Sequence, residues 1–283
     1  MDKEIIIAEH AGFCFGVKRA VEMTVNHEKI GGTDTYTLGP LIHNSDVINR
    51  LKDNDINPIT NNEIESLSNK DNIVIRSHGV TKDTIDKIKK TGANMIDATC
   101  PFVSSIHKKA KRYHDLGYQI IIVGDKNHPE VIGINGWCDN TAIITKDGSD
   151  LNNLPDKVCI ASQTTERLIN YETVVNIVSK KCKEVIAFNT ICNATKERQN
   201  SADEVSKRVD LMIVIGGKNS SNSKKLFEIC SINCKNTIFI ENSKELSKDI
   251  INQNDIRKIG ITAGASTPDW VINDIINKIK NEK

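Results

Sequence analysis

The sequence predicts an α/β fold of three pseudo-symmetric lobes with mostly parallel sheets. Three observations carry this reading. Short aliphatic runs alternate along the chain with stretches of helical periodicity, the pattern of repeated βα units. The runs are continuously apolar, as strands covered on both faces are. And Cys14, Cys100 and Cys192 divide the 283 residues into near-equal thirds, each in a polar, turn-like setting.

The expected strands follow in order. Residues 5–8 read Ile-Ile-Ile-Ala, 35–38 Thr-Tyr-Thr-Leu, 73–75 Ile-Val-Ile and 120–123 Ile-Ile-Ile-Val. Residues 157–161, 211–215, 237–240 and 259–262 complete the set. Helix-like segments lie between them at 45–52, 81–90, 101–116, 166–180, 197–209 and 268–280. No long Gly/Ser or Pro-rich linker interrupts the alternation. The expected lobes are 15–99, 100–191 and 192–283, with 1–14 joined to the third, each of a size viable for a domain.

Composition limits the function classes. Aromatic residues make up 4%, so the core is aliphatic. The net charge is +1, from 38 basic and 37 acidic residues, which gives no electrostatic case for nucleic acid or an anionic membrane. No apolar run approaches a membrane span, and the start lacks a signal-peptide pattern. The expectation is a cytoplasmic protein, where eight cysteines do not read as four disulfides.

A thiolate delivered once per third points to three lobes meeting at one centre. Three thiolates are the ligand set of an iron–sulfur cluster with one iron left open, so the expected fold surrounds a central iron–sulfur cluster. Buried spectator thiols and zinc are the competing readings, although structural zinc sites use pairs at short separation. Cys230 and Cys234 have such spacing but no second half, and packing is the expectation for both. Cys138, Cys159 and Cys182 also lack partners. His27, His107 and His114 lie among charges on helix-like stretches and read as solvated.

Ligands of parallel α/β sheets bind outside the carboxyl ends of the strands. His43, His78 and His128 each follow an expected strand, as do Gln163-Thr164-Thr165, Asn219-Ser220-Ser221-Asn222-Ser223 and Ala265-Ser266-Thr267. Glycine with hydroxyl and amide side chains at a helix start suits a small anion such as a phosphate or diphosphate. Helix capping is the alternative for Ser220, Asn222 and each histidine. Glu130, after His128-Pro129, is either a carboxylate at a helix start or a proton donor. No Walker A pattern or dinucleotide fingerprint is present.

Taken in order, Gly12-Phe-Cys14-x-Gly-Val, His43-Asn, Ser-His78-Gly-Val, Asp-Ala-Thr-Cys100-Pro, His128-Pro-Glu130-Val-x-Gly, Gln-Thr164-Thr, Ile-Cys192-x-Ala-Thr, Gly-x-Lys-Asn-Ser-Ser-Asn-Ser and Thr-Ala-Gly-Ala-Ser266 form a specific set. The chain resembles the 4-hydroxy-3-methylbut-2-enyl diphosphate reductases, from residue 5 to about residue 280. The resemblance implies a non-mevalonate isoprenoid oxidoreductase with one [4Fe–4S] cluster per chain on Cys14, Cys100 and Cys192. It implies substrate binding by His43, His78, His128, Thr164, Ser220, Ser221, Asn222 and Ser266, with Glu130 as proton donor. Phe15 fills a variable slot beside Cys14. Without a flavin or nicotinamide motif, electrons are expected from an external carrier such as ferredoxin or flavodoxin. The runner-up enzyme is a quinolinate synthase-like iron–sulfur protein, whose substrates carry carboxylates. A non-catalytic iron–sulfur sensor is a third reading, against which the neutral charge argues.

Overall fold

In the computed structural model the described residues are 3–28 and 34–281, with the His27 side chain lying outside them, and they divide into two compact units. The first unit comprises residues 1–17, 42–49 and 193–283; the second comprises 18–41 and 50–192.

The second unit holds two sheets. One is built from β1 (Thr35–Leu38), β2 (Asn57–Ile59), β3 (Asn72–Ile75) and β4 (Asn94–Asp97), in the order β2-β1-β3-β4. The other is built from β5 (Gln119–Val123), β6 (Ile143–Thr145), β7 (Lys157–Ser162) and β8 (Glu184–Ala187), in the order β6-β5-β7-β8. The first unit holds β9 (Leu211–Ile215), β10 (Thr237–Ile240) and β11 (Lys258–Ala263), and its fourth strand is β0, the N-terminal Glu4–Ile7. The order there is β10-β9-β11-β0. Every pairing is parallel.

The three sheets therefore share one topology. The chain makes a central strand, then one edge, then returns to a second central strand and the other edge. The N-terminal strand takes the edge place that β4 and β8 take in the other two. The longest aliphatic runs lie in central strands, although β1 reads Thr-Tyr-Thr-Leu. Ile73–Ile75 and Leu211–Ile215 are buried throughout, as crossover helices on both faces require. The edges are shorter in apolar content and only half-buried: Glu4–Ile7, Asn94–Asp97 and Glu184–Ala187 share one pattern, exposed at both ends and intermediate between.

The helices are α1 (Phe15–Glu28), α2 (Ser45–Lys52), α3 (Lys82–Thr91), α4 (Pro101–Asp115), α5 (Pro129–Gly136), α6 (Leu168–Ser179), α7 (Asn193–Ser206), α8 (Ser221–Asn233), α9 (Lys248–Ile251) and α10 (Asp269–Asn281). Amphipathic spacing explains α3, α4 and α10, whose Ile and Val residues face the sheets. Thr81 starts α3 by accepting the Thr84 N–H, and Gly92 ends it in the left-handed region. Among the described residues no helix is long and apolar enough to cross a membrane.

Two features of this topology position the chemistry. Each fourth strand leads to one of the three cysteines, and each cysteine immediately precedes a helix: Cys14 before α1, Cys100 before α4, Cys192 before α7. And the point where each sheet reverses its winding lies between its two central strands, the crevice where open α/β sheets bind ligands. His43 and His78 follow β1 and β3, His128 and Thr164 follow β5 and β7, and Ser220 and Ser266 follow β9 and β11.

Candidate active site

In the second unit, Glu130 stands in the first turn of α5 and is 2% exposed. One carboxylate oxygen accepts the Thr164 N–H at 2.6 Å, and the other accepts the Thr164 hydroxyl at 2.7 Å. The Glu130 N–H donates to His128 Nδ1 at 3.2 Å. A ring nitrogen that accepts carries no proton in the neutral imidazole, so this contact puts the His128 proton on Nε2 and makes that atom a donor. The His128 ring meets His78 edge to face, with centroids 5.3 Å apart.

Two of the five cysteines of this unit, Cys100 and Cys192, are tied to those residues by backbone. The Cys192 N–H donates to the Thr164 carbonyl at 3.0 Å, and the Cys100 N–H donates to the Ser77 carbonyl, beside His78, at 3.0 Å. Gly79 turns the chain after His78 at φ 70°, a left-handed conformation that favours glycine. A Cβ there would lie 2.5 Å from Cε1 of His107.

His107 corrects a sequence expectation. It was expected to be solvated, yet it is 6% exposed and stacks on Trp137 with centroids 5.6 Å apart. Its neighbours in sequence are charged, but its own position faces α5 and the His78 turn. Burial lowers its pKa to about 4, against the smaller opposing pull of Asp97.

In the first unit, Ser220 caps α8, its hydroxyl accepting the Ser223 N–H at 3.3 Å. The capping role weighed for Ser220 is thus present. Asn222 does something a cap does not. It is 3% exposed, and neither its Nδ2 nor its Oδ1 has a hydrogen-bond partner among the described residues. An unpaired buried amide costs about 1–3 kcal/mol, a cost that a polar ligand bound there would offset. Ser221 lies half-buried beside it at the start of α8, where the helix dipole favours an anion. Ser266 donates its hydroxyl to the His43 carbonyl at 3.3 Å. Gly217 passes so close that a Cβ would meet that carbonyl oxygen at 2.1 Å, which holds the His43 segment against the β9 tip. The neighbouring Asn44 is a cap, accepting the Val47 N–H at 3.1 Å.

Apart from the half-buried Cys182, the thiols sort into two classes. Burial pushes Cys138, Cys159 and Cys230 up to about 12, so they stay neutral at ordinary pH. Cys234, 5% exposed, packs with Cys230 in the core beside α7 and α8. Cys14, Cys100 and Cys192 are instead half-buried, not in disulfides, and placed at the positive ends of helices. That donor set fits an anionic thiolate-ligated centre. Gln163 is a residue the sequence reading quoted without using. Fully buried, it accepts the Asp125 N–H at 3.1 Å and so ties the β5 and β7 tips together.

Comparison with known proteins agrees with this arrangement. The profile of the LytB protein family matches residues 5–280. A 4-hydroxy-3-methylbut-2-enyl diphosphate reductase of Clostridium perfringens (strain SM101 / Type A) is 53% identical over 280 residues, covering 99% of this chain and 99% of that protein. Among solved structures, an (E)-4-hydroxy-3-methyl-but-2-enyl diphosphate reductase, described as the terminal enzyme of the non-mevalonate pathway, is 40% identical with a TM-score of 0.71, covering 99% of both chains. The E-1-hydroxy-2-methyl-but-2-enyl-4-diphosphate reductase of Plasmodium falciparum is 27% identical with a TM-score of 0.90, covering 98% of this chain and 88% of that one. These likenesses favour the reductase reading over the quinolinate synthase and sensor readings.

Proposed function

This chain belongs to the LytB protein family, and from that premise we propose that it converts 4-hydroxy-3-methylbut-2-enyl diphosphate to isopentenyl and dimethylallyl diphosphates. The family is one of iron–sulfur oxidoreductases. In the reaction two electrons and two protons are taken up, the terminal C–O bond breaks, one C–H bond forms and the oxygen leaves as water.

The finer assignments follow the resemblance. Cys14, Cys100 and Cys192 are the proposed ligands of one [4Fe–4S] cluster per chain, and their helix-start positions and partial exposure support the choice. When bound, such a cluster supplies the electrons and an open iron that acts as a Lewis acid toward the hydroxyl group.

The chain's own residues do the rest. Ser220, Ser221, Asn222 and Ser266 bind the diphosphate with His43, His78 and His128. The unpartnered Asn222 amide supports an oxygen-rich ligand there. Glu130 gives the proton with which the oxygen departs, since an unprotonated alkoxide is a poor leaving group. Thr164 holds both Glu130 oxygens and its hydroxyl can pass the proton on. His128, with its proton on Nε2, orients the substrate as a donor. The allylic carbanion then takes a proton at either end, which gives the two products.

In the molecule itself, the observation that best supports this reading is the run of contacts from Cys192 through Thr164 to Glu130. It joins a proposed cluster ligand to the proposed acid through one residue. An external one-electron carrier, ferredoxin or flavodoxin, delivers the electrons in a cytosolic setting. Residues 15–99, 100–191 and 192–283 with 1–14 are the proposed lobes.

Anaerobic turnover tests the proposal. The cluster-loaded chain with reduced methyl viologen should oxidise the dye only when substrate is added, and yield both five-carbon diphosphates. An intact cluster without substrate-dependent oxidation would overturn it.

A further inference from the structure

The helix that starts at each cysteine carries a basic side chain to the segment that leads into another of the three cysteines. From α1, which follows Cys14, Arg19 donates to the Thr99 carbonyl at 3.2 Å, one residue before Cys100. From α4, which follows Cys100, the Lys109 ammonium lies 5.5 Å above the Phe188 ring, on the approach to Cys192. From α7, which follows Cys192, Arg198 donates to the Gly12 carbonyl at 3.0 Å, two residues before Cys14.

Arg198 is the most developed of the three. It is 4% exposed, and its fork spans two carbonyls, Gly12 in the loop before Cys14 and Ala194 in the first turn of α7 at 2.5 Å. The bond back to Ala194 brings the guanidinium to the start of α7, beside Cys192 in the chain. Gly12 lies at φ 101°, so the carbonyl that Arg198 holds belongs to a turn of restricted conformation. Arg19 is half-buried and holds the Thr99 carbonyl by one bond. Lys109 replaces the carbonyl bond with a cation–π contact, the weakest of the set.

We infer that Arg19 and Arg198 are positioning residues, Arg19 holding the turn before Cys100 and Arg198 the turn before Cys14, and that they add positive charge to the centre those cysteines bind. The inference rests on the iron–sulfur reading above. Two physical effects follow from one placement. A hydrogen bond from a charged donor is stronger than a neutral one, so each arginine stiffens the turn it holds. A cation in a low-dielectric surround also favours added negative charge, so it eases reduction of the centre. The basic residues are thus suited to the family's reductive chemistry without touching substrate.

The test uses the full-length chain, with cluster built anaerobically in the wild type, Arg198→Gln, Arg198→Lys and Arg19→Gln. Two quantities are read: the midpoint potential of the cluster, and the rate of iron loss to a chelator. Arg198→Gln keeps donors but loses charge, and should lower the potential and lose iron several-fold faster. Arg198→Lys keeps charge but loses the fork, and should retain the potential while still losing iron faster. Arg19→Gln, at a half-buried site where folding is least at risk, should lower the potential by a smaller step. Circular dichroism of the cluster-free variants shows whether the fold is intact. A cluster-bearing wild type whose folded variants match it in potential and iron loss overturns the inference alone. A wild type that builds no cluster overturns the reading beneath it, and the inference with it.

Discussion

Thr164 gives both its backbone N–H and its hydroxyl to the carboxylate of Glu130, at 2.6 and 2.7 Å, so neither carboxylate oxygen is without a donor. The same residue accepts the Cys192 N–H through its carbonyl. One threonine therefore fixes the proposed acid and the turn of a proposed cluster ligand together. A loop residue can do this because β7 delivers it to the crevice beside β5, whose tip leads into the helix bearing Glu130.

Glu130→Gln should abolish the proton donation while keeping shape. The amide still accepts a hydrogen bond but cannot release a proton at neutral pH. We expect kcat to fall by about 10²–10⁴-fold, the range for loss of a general acid. Steady-state viologen oxidation reads the rate, and the visible spectrum of the same sample shows whether the cluster stays.

Thr164→Val removes the hydroxyl and keeps the backbone N–H bond. The expected result is a loss of kcat smaller than in Glu130→Gln, with KM nearly unchanged, because one of the two holds on the carboxylate remains. Thr164→Ser, which restores the hydroxyl, should recover most of the rate. A serine variant as slow as the valine variant would argue against the hydroxyl's part.

Asn222→Ala should separate stability from binding. The native amide is buried with neither polar atom paired, a cost of about 1–3 kcal/mol to the free protein. Removing it should leave the substrate-free chain as stable or more so by denaturant titration. KM should rise by about tenfold as one charge-assisted bond to the diphosphate is lost. A fall in stability with unchanged KM would return Asn222 to a packing role.

His107 makes stability depend on pH. Its folded pKa is about 4, below the unfolded value of roughly 6.5, because burial disfavours the imidazolium. The folded state therefore binds fewer protons, and stability falls as pH drops from about 6.5 to about 4, by roughly 3 kcal/mol in all. Above that window the group contributes no slope. Urea unfolding at a series of pH values should show a shallower fall between those limits for His107→Gln than for the wild type.

The central strands of each sheet were legible because both of their faces are covered, which leaves nothing but Ile, Val, Leu and Met in a run such as Leu211–Ile215. The edges Asn57–Ile59, Asn94–Asp97, Ile143–Thr145 and Glu184–Ala187 were not. They are short, half-exposed and polar at the ends, and one contains Pro58. The start of α8 was legible from the run of hydroxyl and amide residues before it, and Ser220 is its cap, although its buried face also includes Asn222, Ser223 and Lys225. His107 was misread because charged neighbours on α4 say nothing about the one face that packs inward. The candidate site was legible as a set of strand tips. The contacts among those tips, such as Thr164 with Glu130, depend on which strands are neighbours, and that lies in the sheet order.

The central claim is that three cysteines, each following an edge strand and immediately preceding a helix, hold one iron–sulfur centre. Iron and sulfide per chain, measured after anaerobic reconstitution, test it most directly across Cys14→Ser, Cys100→Ser, Cys192→Ser and the core control Cys230→Ser. The expected result is about four irons per chain in the wild type and the control, as one [4Fe–4S] cluster requires, with loss or strong depletion in each of the three site variants. Full iron in any of those three, or equal loss in the control, would contradict the assignment.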